Sequence, residues 1–310
     1  MTMKQLNIFD FAELFDIDPE TFSSETRQLI NSLNFRYRVI TGDELEHLIL
    51  RILHRVESDR QIVGAPERKK TWEDGWRENL DEYRESGFSD QSLVPKFIRR
   101  DQPLRLRQAY ISGEDPNFEL NFIRVLRNWF AHEFFFGVDE IHEFGCGTGF
   151  NLLALAETFP SKKYFGSDFV GSSVDLVNAI GRVKNIALEG RIFDMKVPCY
   201  SYTLGRKSGV FTFGSLEQLA GDIDPFLDFL LSNNPGICLH VEPSEDLYDR
   251  NNLSDFLAYK FQSRRNYTSG LLQKLRDLET EGRVQVLKER RLFFGSLFME
   301  GYNFFCLEEN

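Results

Sequence analysis

Residues 138–149 read Val138-Asp139-Glu140-Ile141-His142-Glu143-Phe144-Gly145-Cys146-Gly147-Thr148-Gly149. A strand-like apolar run over Val138 to Phe144 ends in three alternating glycines, and Phe150-Asn151-Leu152-Leu153 then opens a helical pattern. Glycines in that alternation let the backbone turn sharply and approach a ligand with no side chain in the way. A second strand follows in Tyr164-Phe165-Gly166-Ser167-Asp168-Phe169 and ends in a carboxylate that can accept both hydroxyls of a ribose. The glycines alone would say little. Their place between a strand and a helix, with an acid at the next strand end, points to a nucleoside-bearing ligand.

Working outward, short apolar runs alternate with helical segments. Strands are predicted over Val138 to Phe144, Lys163 to Ser167, Arg191 to Met195, Gly209 to Phe213 and Ile237 to Glu242. Helices are predicted over Gly149 to Phe159, Ser172 to Val183, Leu216 to Ser232 and Leu253 to Thr280. The alternation predicts an α/β fold with a doubly wound, largely parallel sheet. Arg283 to Glu289 and Leu297 to Leu307 look extended around a turn near Gly295, which predicts a closing antiparallel pair. Upstream, helices are expected over Glu25 to Tyr37, Leu45 to Val56 (capped by Thr41 or Asp43) and Trp72 to Tyr83, with Gly87 to Asp115 irregular. Asp115-Pro116 then starts a helix carrying Phe118, Phe122, Ile123, Leu126, Trp129 and Phe130 on one stripe. The chain thus divides into a mainly helical N-terminal region, 1–116, and a sheet domain, 117–310.

Composition narrows the function classes. Among 310 residues, 48 acids against 37 bases leave a net charge of -11, a field that repels phosphate backbones. No apolar stretch approaches the ~20 residues a membrane span needs, and the N-terminus lacks the pattern of a secretory signal. Cys146, Cys199, Cys238 and Cys306 lie without metal-ligand spacing beside apolar runs where buried thiols are usual, which places the chain in a reducing, cytoplasmic compartment. The expected partner is a small molecule, with neither nucleic acid nor membrane. Thirty Phe and ten Tyr hint at a cleft walled by rings.

On these residues the sequence, from about Val138 to the C-terminus, resembles the class I S-adenosylmethionine-dependent methyltransferases. The resemblance implies a seven-stranded Rossmann-like sheet and S-adenosyl-L-methionine as cofactor. It implies that Glu143, Gly145, Cys146, Gly147 and Gly149 line the methionine half and that Asp168, followed by Phe169, holds the ribose. Asp194, at the third strand end, falls where family members place an acid near the adenine amino group, with Met195 against the ring. Phe213-Gly214-Ser215-Leu216-Glu217 matches the fourth strand end, under the sulfonium. It departs from the Asp/Asn-Pro-Pro-Tyr motif of amino-group methyltransferases and leaves oxygen, carbon or other acceptors open. A nicotinamide dehydrogenase is the competing reading, but the last glycine of a dinucleotide fingerprint would fall at position 150, which is Phe150, and the antiparallel tail replaces a second parallel half.

A hydroxyl acceptor must lose a proton, so a general base is useful. Alternation puts His240 and Glu242 on one face of the fifth strand, and Glu217 follows the fourth; these are the candidate catalytic groups, with core or capping roles as the alternatives. His142 reads as structural. Trp76, Tyr248, Arg264, Arg265 and Tyr267 are the candidate substrate contacts, the arginine pair beside an aromatic ring resembling a planar clamp for an anion. No side-chain set has metal spacing, so no metal is expected. The function expected is methyl transfer to a small polar acceptor, a hydroxyl of a sugar-like or hydroxylated metabolite, with the N-terminal region as the lid that shapes its pocket. The alternatives are methylation of a protein or peptide side chain, and a cofactor-binding regulatory protein without turnover.

Overall fold

The structure is a computed structural model and describes residues 2–65 and 67–309. In chain order the elements are β1 (Lys4–Gln5), α1 (Ile8–Phe15), α2 (Ser24–Ser32), β2 (Arg36–Val39), α3 (Asp43–Ser58), α4 (Arg68–Glu85), β3 (Leu104–Leu106), β4 (Ala109–Gly113) and α5 (Phe118–Phe134). They continue as β5 (Glu140–Phe144), α6 (Phe150–Thr158), β6 (Lys163–Asp168), α7 (Gly171–Lys184), β7 (Leu188–Ile192), β8 (Ser208–Phe213), α8 (Asp224–Asn233), β9 (Ile237–Val241), α9 (Leu253–Arg265), α10 (Leu271–Thr280), β10 (Val284–Arg290), β11 (Phe294–Gly295) and β12 (Phe304–Glu309).

The main sheet runs β10-β12-β9-β8-β5-β6-β7. Strands β5 to β9 are parallel, and β12 and β10 close the sheet antiparallel. The chain enters this sheet at β5, continues through β6 and β7 on one side, then returns to the other side of β5 with β8 and β9. That reversal opens a crevice at the carboxyl ends of the central strands, where such sheets bind ligands. Helices are packed onto both faces. Phe144, at the end of β5, is fully buried against Phe193, Phe226 and Phe229 with ring centroids 4.8–5.9 Å apart.

Several expected boundaries moved for local reasons. The third strand is Leu188–Ile192 rather than Arg191 to Met195: Phe193 and Met195 are apolar because their loop turns down into the core, where both are buried. The single helix expected over Leu216 to Ser232 is a 3-10 turn at Leu216–Leu219 followed by α8, because Ala220 (φ 55°) and Gly221 (φ 85°) both turn left-handed. Leu253 to Thr280 is likewise two helices, broken between Asn266 (φ 57°) and Gly270 (φ 70°).

The N-terminal region also contains more than helices. A second sheet, β1-β2-β4-β3-β11, joins the segment expected to be irregular to two residues of the C-terminal tail. Most of the phenylalanines fill cores rather than a cleft; Phe122, for example, stacks on Phe294 at 3.7 Å between centroids. Cys146, Cys238 and Cys306 are buried as expected, but Cys199 is exposed on the loop after β7. No described helix is long and apolar enough to cross a membrane.

Candidate functional site

The glycine turn after β5 is wound as its sequence requires, with Gly145, Gly147 and Gly149 all in the left-handed region at φ 74°, 53° and 71°. They do different jobs. A Cβ on Gly145 would overlap Ser215, which lies one loop away at the end of β8. A Cβ on Gly147 would meet the Trp76 ring at 2.9 Å, and one on Gly149 would press on Val177 and Ile180 of α7. Gly149 therefore packs α6 against α7 and is not part of the cavity wall.

Over these strand ends lies a cavity of about 320 Å³. Its floor includes Glu143, Gly145, Cys146 and Gly147 from the β5 turn, Asp168 and Phe169 from β6, Asp194 and Met195 after β7, and Gly214 and Ser215 after β8. Its roof comes from the N-terminal region: Val63, Gly64 and Ala65, then Arg68, Lys69, Trp72 and Trp76 of α4, then Pro95, Phe97 and Ile98. Two contacts dock this roof. Glu73 accepts from the Ser172 backbone N–H at 3.2 Å while the Ser172 hydroxyl donates to the Glu73 carbonyl, and the Thr148 hydroxyl donates to the Leu93 carbonyl at 2.6 Å.

The buried acids of the floor have unmet capacity. Asp168 accepts from the backbone N–H of Gly147 (3.0 Å) and of Val170 (3.2 Å), yet each carboxylate oxygen has about two lone-pair sites, so both can take a further donor. Burial pushes its pKa up to about 6. Glu143 accepts from Asn151 Nδ2 at 2.8 Å through one oxygen, while its other oxygen is buried with no hydrogen-bond partner. Burial pushes this carboxyl up to about 8. Asn151 is held from behind by Arg127, which also donates to the Phe150 carbonyl. A buried acid wanting a donor at one end, and an acid with free lone pairs at the next strand end, fit the ammonium and the ribose of S-adenosylmethionine.

Counting β5 as the first strand, the main sheet has the order 3-2-1-4-5-7-6, with only the seventh running against the direction of the others, and its glycine turn lies at the reversal point. This is the class I methyltransferase fold. Among solved structures the chain is similar to the [4+2]-cyclase SpnF, with a TM-score of 0.52 and 13% identity over 81% of this chain and 99% of that one. It is also similar to the 16S rRNA methylase ArmA (TM-score 0.45, 18% identity, 76% and 98% covered) and the mitomycin 7-O-methyltransferase MmcR (0.45, 12%, 98% and 88%). At these identities the likeness is one of fold. No family model and no curated protein matches the sequence.

Within this methyltransferase fold the groups expected to act on the acceptor are placed elsewhere. His240 and Glu242 do share a face, as alternation requires, but neither lines the cavity. His240 is fully buried with Nδ1 3.1 Å from the Thr212 hydroxyl, and burial pulls its pKa down to about 4. Glu242 accepts three backbone N–H groups that start the 3-10 turn: Ser215 and Leu216 at 3.1 Å on one oxygen, Glu217 at 3.4 Å on the other. It fixes the fourth-strand loop. Glu217 is buried outside the cavity, accepts from Gln218, and is pushed up to about 8 by burial and by Glu242.

The expected anion clamp is already occupied. Arg265 donates to the Asp59 carboxylate at 2.8 Å and to the Tyr267 hydroxyl at 3.0 Å, and Arg264 donates to the Asp59 carbonyl. These residues hold the 59–65 segment that leads into α4, helped by a Val63 N–H donating to the Arg265 carbonyl. Tyr248 is buried away from the cavity, its hydroxyl accepting from Gln262 and from the Glu300 N–H. Of the substrate candidates, only Trp76 lines the cavity.

The residues missed by sequence reasoning include Val63, Arg68, Phe97 and Ile98 of the roof, together with Gln218. A signal existed: Arg68, Trp72 and Trp76 recur every four residues, one face of one helix. Among the described residues, no group of three or more His, Cys, Asp or Glu side chains is placed to hold a metal ion.

Proposed function

We propose that the protein is an S-adenosylmethionine-dependent methyltransferase acting on a small molecule, with residues 1–116 as the region that roofs and shapes the acceptor pocket. The observation that carries this is the convergence of the β5 glycine turn, Glu143, Asp168 and the Asp194-Met195 pair on one roofed cavity. When bound, the cofactor supplies a methyl group activated by a positively charged sulfur. Asp168 would hold the ribose hydroxyls, Glu143 the ammonium, and Met195 and Phe169 the apolar faces of the nucleoside. Gly145 keeps the β5 turn and the Ser215 loop in contact, so the wall beneath the reacting centre stays closed. Trp76 and Trp72 exclude water from above, which strengthens every electrostatic contact inside.

A roofed cavity supports a small acceptor over a peptide, which would call for an open groove. The absence of the amino-group motif argues against a nitrogen acceptor, and among the oxygen and carbon acceptors left we assign a hydroxyl-bearing metabolite. Among the described residues, the carboxylates lining the cavity are Glu143, Asp168 and Asp194, all on the cofactor side, and no histidine lines it. Proton removal by the protein therefore contributes little, and positioning supplies most of the catalysis. The test is transfer of labelled methyl from S-adenosylmethionine to a panel of hydroxylated metabolites, alongside calorimetric titration with S-adenosylhomocysteine. Failure to bind either cofactor form would end this reading.

A further inference from the structure

The roof helix carries a three-step ladder over the cavity. Trp76 lies on Gly147 at the cofactor turn. Trp72, one turn back, stacks on it with centroids 5.3 Å apart and planes 22° from parallel. Arg68, a further turn back, sets its guanidinium carbon 5.0 Å from the centre of the Trp72 ring. One Arg68 nitrogen donates to Gln218 Oε1 at 2.9 Å, and its Nε is buried with no hydrogen-bond partner. Among the described residues no carboxylate forms an ion pair with it. Of the two carboxylates whose field reaches it, Glu217 is pushed up to about 8 and is largely uncharged at neutral pH, while Asp59 is engaged by Arg265.

The cavity also carries apolar lining: Phe97 and Ile98 in the roof, with Ile123, Phe150 and Phe213. A polyhydroxylated sugar pressed there would leave hydroxyls unpaired against rings, at ~1–3 kcal/mol for each. A planar ring would lose nothing. At ~1.5 Å per residue, Arg68 stands about 12 Å along the helix from Trp76 and the glycine turn, remote from the groups that hold the cofactor's amino-acid end.

We propose that the acceptor pairs a planar ring system with a carboxylate, the carboxylate held by Arg68 and the ring by the Trp72–Trp76 face and the apolar lining of Phe97 and Phe213. This rests on the cofactor reading above and names its acceptor class.

The experiment uses the full chain saturated with S-adenosylhomocysteine, with 4-hydroxycinnamate and 4-hydroxybenzoate as probes. Each is compared with its uncharged carboxamide, and methyl glucoside serves as the polyol. Binding is read by calorimetry and by quenching of tryptophan fluorescence. At least one carboxylate is expected to bind at millimolar concentration or below and to exceed its amide by about tenfold or more, the size of a charge-assisted hydrogen bond. Arg68→Gln abolishes that preference, Arg68→Lys restores part of it, and both leave S-adenosylhomocysteine affinity within about twofold. Equal binding of acid and amide, preference for the glucoside, or no binding of either acid would overturn the proposal. So would a large loss of S-adenosylhomocysteine affinity in Arg68→Gln, since the guanidinium would then serve the cofactor while the methyltransferase reading stood. Loss of S-adenosylhomocysteine binding by the unmodified protein would instead sink the methyltransferase reading itself.

Discussion

Glu242 stands where a catalytic base would be sought, yet its oxygens are spent on three backbone N–H groups, and replacing it separates the two roles. In Glu242→Gln the remaining carbonyl oxygen can keep the Ser215 and Leu216 bonds, both 3.1 Å. The new amide nitrogen must then face the Glu217 N–H, where the longer 3.4 Å bond is lost and two donors meet. One buried unsatisfied donor is worth ~1–3 kcal/mol, and that is the loss of stability expected at pH 7. Glu242→Ala strands all three N–H groups; allowing for partial relaxation, the loss should reach roughly 3–6 kcal/mol. Equilibrium urea denaturation of the two variants and the parent, with the same slope for all, reads these differences directly. Because the Gly214-Ser215 wall of the cavity hangs on the same anchor, S-adenosylhomocysteine affinity should fall in the same order as stability. A Glu242→Gln protein as stable as the parent, with unchanged cofactor affinity but no turnover, would refute the anchoring account and make Glu242 the base.

Three further outcomes follow from the same geometry. Gly145→Ala combines left-handed strain of ~1–2 kcal/mol with overlap against a Ser215 held by its bond to the Phe144 carbonyl, so it should destabilise more than Gly147→Ala, whose obstacle is a movable Trp76 ring; the reverse order in urea would contradict the assignment. Stability should fall as pH rises from about 5.5 to about 8, read from urea midpoints. Glu143 and Glu217 at about 8, Glu119 and Glu242 at about 7 and Asp168 at about 6 all bind protons more tightly folded than unfolded, which outweighs the opposite effect below pH ~6.5 of His142 and His240, pulled down to about 4. S-adenosylhomocysteine should bind more weakly as pH falls, first below about 8 as Glu143 takes up its proton and more steeply below about 6 as Asp168 does; calorimetry at several pH values on Asp168→Asn should remove the lower step and keep the upper one.

The cofactor side of the site could be read in the sequence because its signals are local. Three glycines at positive φ and an acid at the next strand end sit within 24 residues, and the backbone itself forms the cradle. The small sheet could not be read. β3 and β4 are joined by Arg107 and Gln108, at φ 51° and 60°, a two-residue hairpin turn that normally advertises itself with Asn-Gly or Asp-Gly. Its edge partner β11 comes from nearly two hundred residues away. The acceptor side failed for a related reason. Alternation correctly placed His240 and Glu242 on one face, but it carries no information on depth, and that face meets Thr212 and the start of a 3-10 turn rather than the cavity. Arg264 and Arg265 looked free because their partner, Asp59, lies about two hundred residues upstream. The aromatic count misled in the same way, since stacking in a core and lining a cleft draw on the same residues.

The most direct test is calorimetric titration of the full chain with S-adenosylhomocysteine, run beside Asp168→Ala. The account predicts saturable one-to-one binding by the parent and a loss of about tenfold or more in the variant, the cost of removing one charged hydrogen-bond acceptor from the ribose. Absence of binding by a folded parent, or equal affinity in the two proteins, would contradict it.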